Sequence, residues 1–164
     1  MKNSTEKTNV MRLLEQKKIP HKCHFYADTG AVSGTEVAQA LGENPQQVFK
    51  TLVTVGGKTK QHFVFVIPVT GELDLKKAAR AAGEKSIEMI KNKELLPLTG
   101  YIHGGCSPIG MKKLFPTFID RTAAGFETFF FSGGKIGFQV ELSPDDLKKI
   151  IPFTFADLTT DNGQ

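Results

Sequence analysis

The sequence predicts an α+β fold: a small mixed sheet of about six to seven short strands, curled toward a barrel, with helices around it. Three observations predict it. Apolar residues switch between a period of two and a period near 3.6 in an irregular order, not as alternating strand and helix. Gly56-Gly57 and Ser132-Gly133-Gly134-Lys135 each separate two strand-like runs, as hairpin turns do. The strands are short with glycine at their corners, which favours a sheet that curls.

In chain order, Ser4 or Thr5 is expected to cap a first helix running to about Lys18, with Val10, Leu13, Leu14 and Lys17 on one stripe. Ile19-Pro20 stops it, and His21 to Tyr26 reads as a strand. Ser33-Gly34-Thr35-Glu36 is a capping box, in which hydroxyl and carboxylate each satisfy a free amide of the first turn. The helix it opens carries Val37, Ala38 and Leu41 and stops at Gly42. Asn44-Pro45 starts a short helical turn.

Phe49 to Val55 alternates as a strand, with Phe49, Thr51, Val53 and Val55 on one face and Lys50, Leu52 and Thr54 on the other. His62 to Val69 returns as its buried partner. Asp74 caps a helix from Leu75 to Ala82 that ends at Gly83. Ser86 to Ile90 is a strand, followed by a short helix that Pro97 should terminate. Thr99 to Gly110 is a glycine-rich loop. Thr117 to Asp120, Phe126 to Phe131 and Ile136 to Leu142 are strands. Ser143-Pro144-Asp145-Asp146 opens a helix with a hydroxyl cap, proline at its first position and acids at the positive dipole end. Phe153 to Leu158 is the last strand. With no repeat and no linker, residues 1–164 read as a single domain.

Composition excludes several classes. The chain has 164 residues, 40% hydrophobic and 23% charged, the balance of a chain that builds a core without disulfides or metal. Its net charge of +4 suits a polyanionic partner without the density of a nucleic-acid-coating tail. The polar start, MKNSTEKTNV, lacks a secretory signal's apolar region, and the run Phe63 to Val69 is too short to span a bilayer. Cys23 and Cys106, the only cysteines, are expected to be reduced thiols in a cytoplasmic protein.

Four features could carry chemistry. Lys50 interrupts a strand, where lysine is disfavoured; it is either an edge residue facing water or an ammonium held over a cavity. Gly100 to Gly110 holds four glycines and a proline, suited either to an irregular crossover or to close approach of backbone amides to a ligand. His21, Cys23, His24, His62, His103 and Cys106 contain only one compact pair, His103-x-x-Cys106, so no metal site is expected. Phe129-Phe130-Phe131 must put rings on both faces of its strand, one against a helix and the other into the sheet's interior.

Phe49-Lys50-Thr51-Leu52-Val53, Gly100-Tyr101 with Gly104-Gly105-x-Ser107-Pro108-x-Gly110, and Ser132-Gly133-Gly134-Lys135-x-Gly137, in that order, resemble the YbaK/EbsC family of aminoacyl-tRNA deacylases. That family includes Cys-tRNA(Pro) deacylases and is similar to the editing domain of bacterial prolyl-tRNA synthetase. The resemblance runs from about Met11 to Leu158. It implies a hydrolase that deacylates mischarged Cys-tRNA(Pro), and also Cys-tRNA(Cys), in trans and without metal or cofactor. Lys50 would be the catalytic lysine. Tyr26, Thr51, Gly104, Gly105, Ser132 and Gln139 would bind substrate, the diglycine amides serving an oxyanion. The partners implied are the acceptor end of aminoacyl-tRNA and prolyl-tRNA synthetase, with no membrane.

Cys106 stands where relatives commonly carry an aliphatic or small residue, and Gln139 where some cysteine-specific members carry an acid. The second departure leaves open a deacylase of another substrate such as Ala-tRNA(Pro), working through water, or a non-catalytic module bound to a synthetase.

Overall fold

The computed structural model describes residues 6–160. Among these residues, eight strands form two sheets. The first has the order β1-β7-β6, with β1 Lys22–Phe25, β6 Phe129–Ser132 and β7 Phe138–Leu142, all antiparallel. The second has the order β4-β2-β3-β5-β8. Here β2 (Phe49–Gly56), β3 (His62–Pro68) and β4 (Ile87–Met89) are antiparallel, while β5 (Thr117–Asp120) and β8 (Thr154–Ala156) run parallel to their neighbours. The mixed α+β class is as the sequence predicts. The barrel is not: the two sheets touch through an isolated parallel bridge, Val48 to Phe130, and do not close.

The helices are α1 Asn9–Gln16, α2 Gly34–Leu41, α3 Leu75–Ala82, α4 Asn92–Thr99 and α5 Pro144–Leu147. Their ends follow cap chemistry. Glu36 N–H donates to Ser33 Oγ while Ser33 N–H donates to Glu36 Oε1, closing the capping box, and Gly42 leaves α2 in the left-handed conformation. Asp74 Oδ1 accepts from Lys76 and Lys77 at the start of α3. For α1, Ser4 and Thr5 lie outside the described residues; Thr8 is the cap, its Oγ1 accepting from Met11 N–H. Pro97 does not end α4, which continues to Thr99. Pro97 is the sixth of eight residues and removes one internal hydrogen bond, but Gly100 N–H still reaches Leu96 O at 2.9 Å, so the last turn closes beyond it.

The packing is layered. Val10, Met11 and Leu14 of α1 join Phe129, Phe131, Phe138 and Val140 of the first sheet and Phe49, Val53, Val64 and Val66 of the second in one core. The opposite face of the second sheet, with Phe63, Phe65 and Ile67, packs on Ala78 and Ala79 of α3. The opposite face of the first is covered by α2, where Ala38 meets Val48 and Phe130. The three consecutive phenylalanines therefore divide as the alternation requires.

This layering opens the molecule at one place. Along one edge of β2, β6 is bridged only at Val48 and β4 pairs only from Thr54 to Gly56. Among the described residues, no strand pairs with residues 50–52 along that edge.

Candidate functional site

A cavity of about 370 Å³ occupies that gap. Because the sheet is split, both of its faces contribute. From the side covered by α2 come Lys50, Val48 and the cross-strand pair Ser132 and Gln139; from the core side come Phe49, Thr51, Phe131, Phe138 and Cys106. Tyr26, where β1 ends, and Ser33 and Gly34, at the start of α2, close one end. Gly34 is needed for that approach: a Cβ there would lie 2.3 Å from Val69 Cγ1.

Six of the seven residues singled out from the sequence line this cavity: Tyr26, Lys50, Thr51, Gly104, Ser132 and Gln139. Gly105 does not. Its N–H donates to Ile102 O at 2.9 Å, closing a turn in which Gly104 has φ +90°, as the third residue of a type II turn requires. That amide is already satisfied and is no oxyanion donor. A Cβ on Gly105 would meet Ile136 N at 3.1 Å and Lys135 Cα at 3.3 Å, so its smallness lets the loop lie against the β6–β7 hairpin.

Lys50 is half-buried, and among the described residues no carboxylate lies within ion-pair distance of its Nζ. Ser132 Oγ accepts from Gly134 N–H at 3.0 Å, which fixes the hydroxyl and leaves its proton to donate elsewhere. Two further polar atoms of the cavity wall, Thr51 Oγ1 and Gln139 Oε1, are buried with no hydrogen-bond partner. Native interiors rarely tolerate such atoms, and each is a place where a ligand group would be stabilised.

Burial pushes the Cys106 thiol up to about 12, so the sulfur in the wall stays protonated and is a poor nucleophile. His103, seen in the sequence only as half of a Cys/His pair, borders the cavity from the type II turn. Among the described residues, no three His, Cys, Asp or Glu side chains gather as metal ligands do. Val32, Val37, Val69 and Leu95 also line the site and escaped sequence reasoning, because apolar residues there look like any core position.

What this wall offers a ligand is groups of both polarities: an ammonium for an anionic or carbonyl oxygen, and unpartnered oxygens for donors. The chain matches the aminoacyl-tRNA editing domain family over residues 28–150, which takes in all of these wall residues but Tyr26. It is 47% identical over 160 residues, 97% of each chain, to EbsC of Enterococcus faecalis (strain ATCC 700802 / V583), a protein designated a candidate Cys-tRNA(Pro)/Cys-tRNA(Cys) deacylase. A proline–tRNA ligase of Shouchella clausii (strain KSM-K16) is 27% identical over 104 residues, 63% of this chain and 18% of the ligase.

A crystal structure described as a candidate trans-editing enzyme for prolyl-tRNA synthetase superposes with a TM-score of 0.80 at 26% identity, covering 94% of this chain and 99% of that one. Hypothetical protein APE2540, at 21% identity with a TM-score of 0.84 over 93% of this chain and 100% of that one, shares the fold. By sequence, fold and the extent of both matches, the chain belongs to the aminoacyl-tRNA editing domain family.

Proposed function

We propose that the protein is a trans-acting deacylase of mischarged aminoacyl-tRNA, with Cys-tRNA(Pro) and Cys-tRNA(Cys) as substrates. Residues 1–164 act as one deacylase domain, in the cytoplasm, without a cofactor. The observation that carries this reading is the free ammonium of Lys50 in the same wall as two buried, unpartnered oxygens. The name of the 47% identical relative supports the amino acid, and the shared segment of a proline–tRNA ligase supports work beside prolyl-tRNA synthetase.

No side chain of the cavity is an evident nucleophile. The Cys106 thiol stays protonated, and among the described residues no base hydrogen-bonds to the Ser132 hydroxyl. The nucleophile is then the substrate's own thiol. Its sulfur bonds to the ester carbonyl carbon, the bond from that carbon to the tRNA 3′-oxygen breaks, and the thiol proton passes to that oxygen. The products are free tRNA and cysteine thiolactone. Lys50 stabilises negative charge on the reacting ester; a positioned donor of this kind is worth about 3 kcal/mol. Gly104 supplies the loop's side of the site, and Tyr26, Thr51, Ser132 and Gln139 hold the aminoacyl group.

A panel of Cys-, Ala-, Pro- and Ser-tRNA(Pro), with wild type and Lys50→Ala side by side, tests this. Cys-tRNA(Pro) should be cleared fastest, and Lys50→Ala should lose about 100-fold or more in rate with its unfolding midpoint unchanged. Preference for Ala-tRNA(Pro) would replace the thiol by water. No turnover of any substrate would leave a binding module.

A further inference from the structure

Glu43 follows the left-handed Gly42 that ends α2. Its N–H donates to Ala38 O at 2.8 Å, so helix-end geometry fixes where its side chain starts. From there the carboxylate reaches the side of β7 that faces away from the main core, and Gln139 Nε2 donates to Glu43 Oε1 at 3.0 Å. A carboxylate accepts and cannot donate, so it dictates which way the amide lies: Nε2 toward Glu43, Oε1 away from it. Gln139 is 3% exposed, and that Oε1 is one of the two unpartnered oxygens of the cavity wall.

Burial lifts the Glu43 carboxyl above the usual carboxylate range and the nearby Glu141 adds to the lift, while the Gln139 N–H and His24 oppose it. His24 in turn sits 2.9 Å from Glu141 Oε1, and Thr128 Oγ1 donates to Glu141 Oε2, so Glu141 is partnered without Glu43. Glu43 touches the cavity through the amide alone.

We propose that Glu43 is a positioning residue, holding the Gln139 amide so that its carbonyl oxygen receives the α-ammonium of the aminoacyl group. The inference rests on the aminoacyl-ester reading above and extends it to the amine. An amide whose N–H is bound by a carboxylate has a more negative oxygen, which suits a cationic donor. Lys50 and this oxygen then give the cavity two groups of opposite polarity, one for the reacting ester oxygen and one for the ammonium. The sequence position where an acid might stand is occupied by a neutral amide, with the negative charge supplied from the end of α2.

The test uses two non-hydrolysable probes: 3′-cysteinylamino-3′-deoxyadenosine, and its 3-mercaptopropionyl counterpart, which keeps the thiol and lacks the amine. Calorimetry on the full chain should show wild type binding the amine probe about 10-fold or more tightly than the other, as a charge-assisted hydrogen bond predicts. Glu43→Ala should bring the preference within about 3-fold with the des-amino affinity unchanged. Glu43→Gln, which can still accept from Gln139, should retain part of it. Equal weakening of both probes by Glu43→Ala would make Glu43 structural and overturn the proposal, as would an undiminished preference. Turnover of Cys-tRNA(Pro) separates the two readings. An amine preference without turnover keeps the ammonium site and removes the deacylase; turnover with no amine preference does the reverse.

Discussion

Two hollows of comparable size among the described residues are built differently. The second, of about 430 Å³, lies among Gln46, Thr70, Glu72, Asp120, Thr122 and Thr159. Its buried acid is fully engaged: Asp120 Oδ1 accepts from Leu158 N–H at 3.0 Å, and Oδ2 accepts from the N–H and Oγ1 of Thr122 at 3.2 and 2.7 Å. Those bonds tie the end of β5 to the chain that follows β8. In the first hollow, Thr51 Oγ1 and Gln139 Oε1 accept and donate nothing, and Lys50 has no counterion among the described residues. Volume does not separate a site from a structural cleft here; unsatisfied polarity does. A protein that leaves such groups unpaired gives up stability that the fold could have recovered elsewhere.

The largest effect that could break this comparison is at Asp120. Replacing it with alanine removes three hydrogen bonds and strands a buried backbone donor, so Asp120→Ala should lose about 3 kcal/mol of unfolding free energy. Measured per folded molecule, its deacylation rate should equal wild type. A variant that stays stable but loses turnover would make the second hollow functional and reverse the assignment of the two.

How far the sequence shows this contrast depends on range. Local chemistry was readable: the Ser33–Glu36 box, the Asp74 and Ser143 caps, and the face alternation of β2 and β6 rest on neighbours a few residues away. Lys50 was readable as an anomaly, because a lysine among β-branched and aromatic residues has no local reason to be there. The split sheet was not. Which strand stands beside residues 50–52 depends on β4 pairing late and β6 bridging early, both long-range choices that leave no periodic signal. Glu43 was invisible for the same reason, since its partner Gln139 is far along the chain. The diglycine shows the limit of composition. Glycine density pointed to ligand-facing amides, whereas Gly105 serves a turn and a close packing contact.

Cys106 offers a sharper, intermediate test, because it lines the first hollow without belonging to its chemistry. Its folded thiol is raised from 9.0 to about 12 by burial, while the unfolded chain ionises near the ordinary value. Stability from the neutral thiol is therefore fully present below pH 9 and falls as pH rises toward 12. The slope approaches about 1.4 kcal/mol per pH unit. Urea unfolding of wild type and Cys106→Ala, both in a Cys23→Ser background, should show this loss from pH 9 to 10 in the first and a flatter line in the second. At neutral pH the two should clear Cys-tRNA(Pro) within about 3-fold of each other, since a protonated thiol is a poor nucleophile. Loss of turnover in Cys106→Ala would return the cysteine to the list of catalytic groups.

The smallest effect bears most directly on what an unsatisfied atom means. Thr51→Val exchanges the unpartnered hydroxyl for a methyl of similar shape. A hydroxyl buried without a partner is a liability to the folded state, so removing it should leave stability unchanged or raise it by up to about 1 kcal/mol. If the hydroxyl has no work to do, turnover should be untouched as well. If it donates to bound substrate, KM should rise by about 5- to 10-fold with kcat little changed, a loss of about 1 kcal/mol that appears only when the cavity is filled. Gain of stability with loss of affinity is the signature expected of this atom. The same substitution at a satisfied hydroxyl of β2, Thr54, whose Oγ1 donates across to Phe63 O of β3 at 2.9 Å, should show the opposite pattern, weaker folding with unaltered affinity. Should Thr51→Val and Thr54→Val behave alike, an unpaired atom would carry no information about ligands in this fold, and the distinction between the two hollows would rest on Lys50 alone.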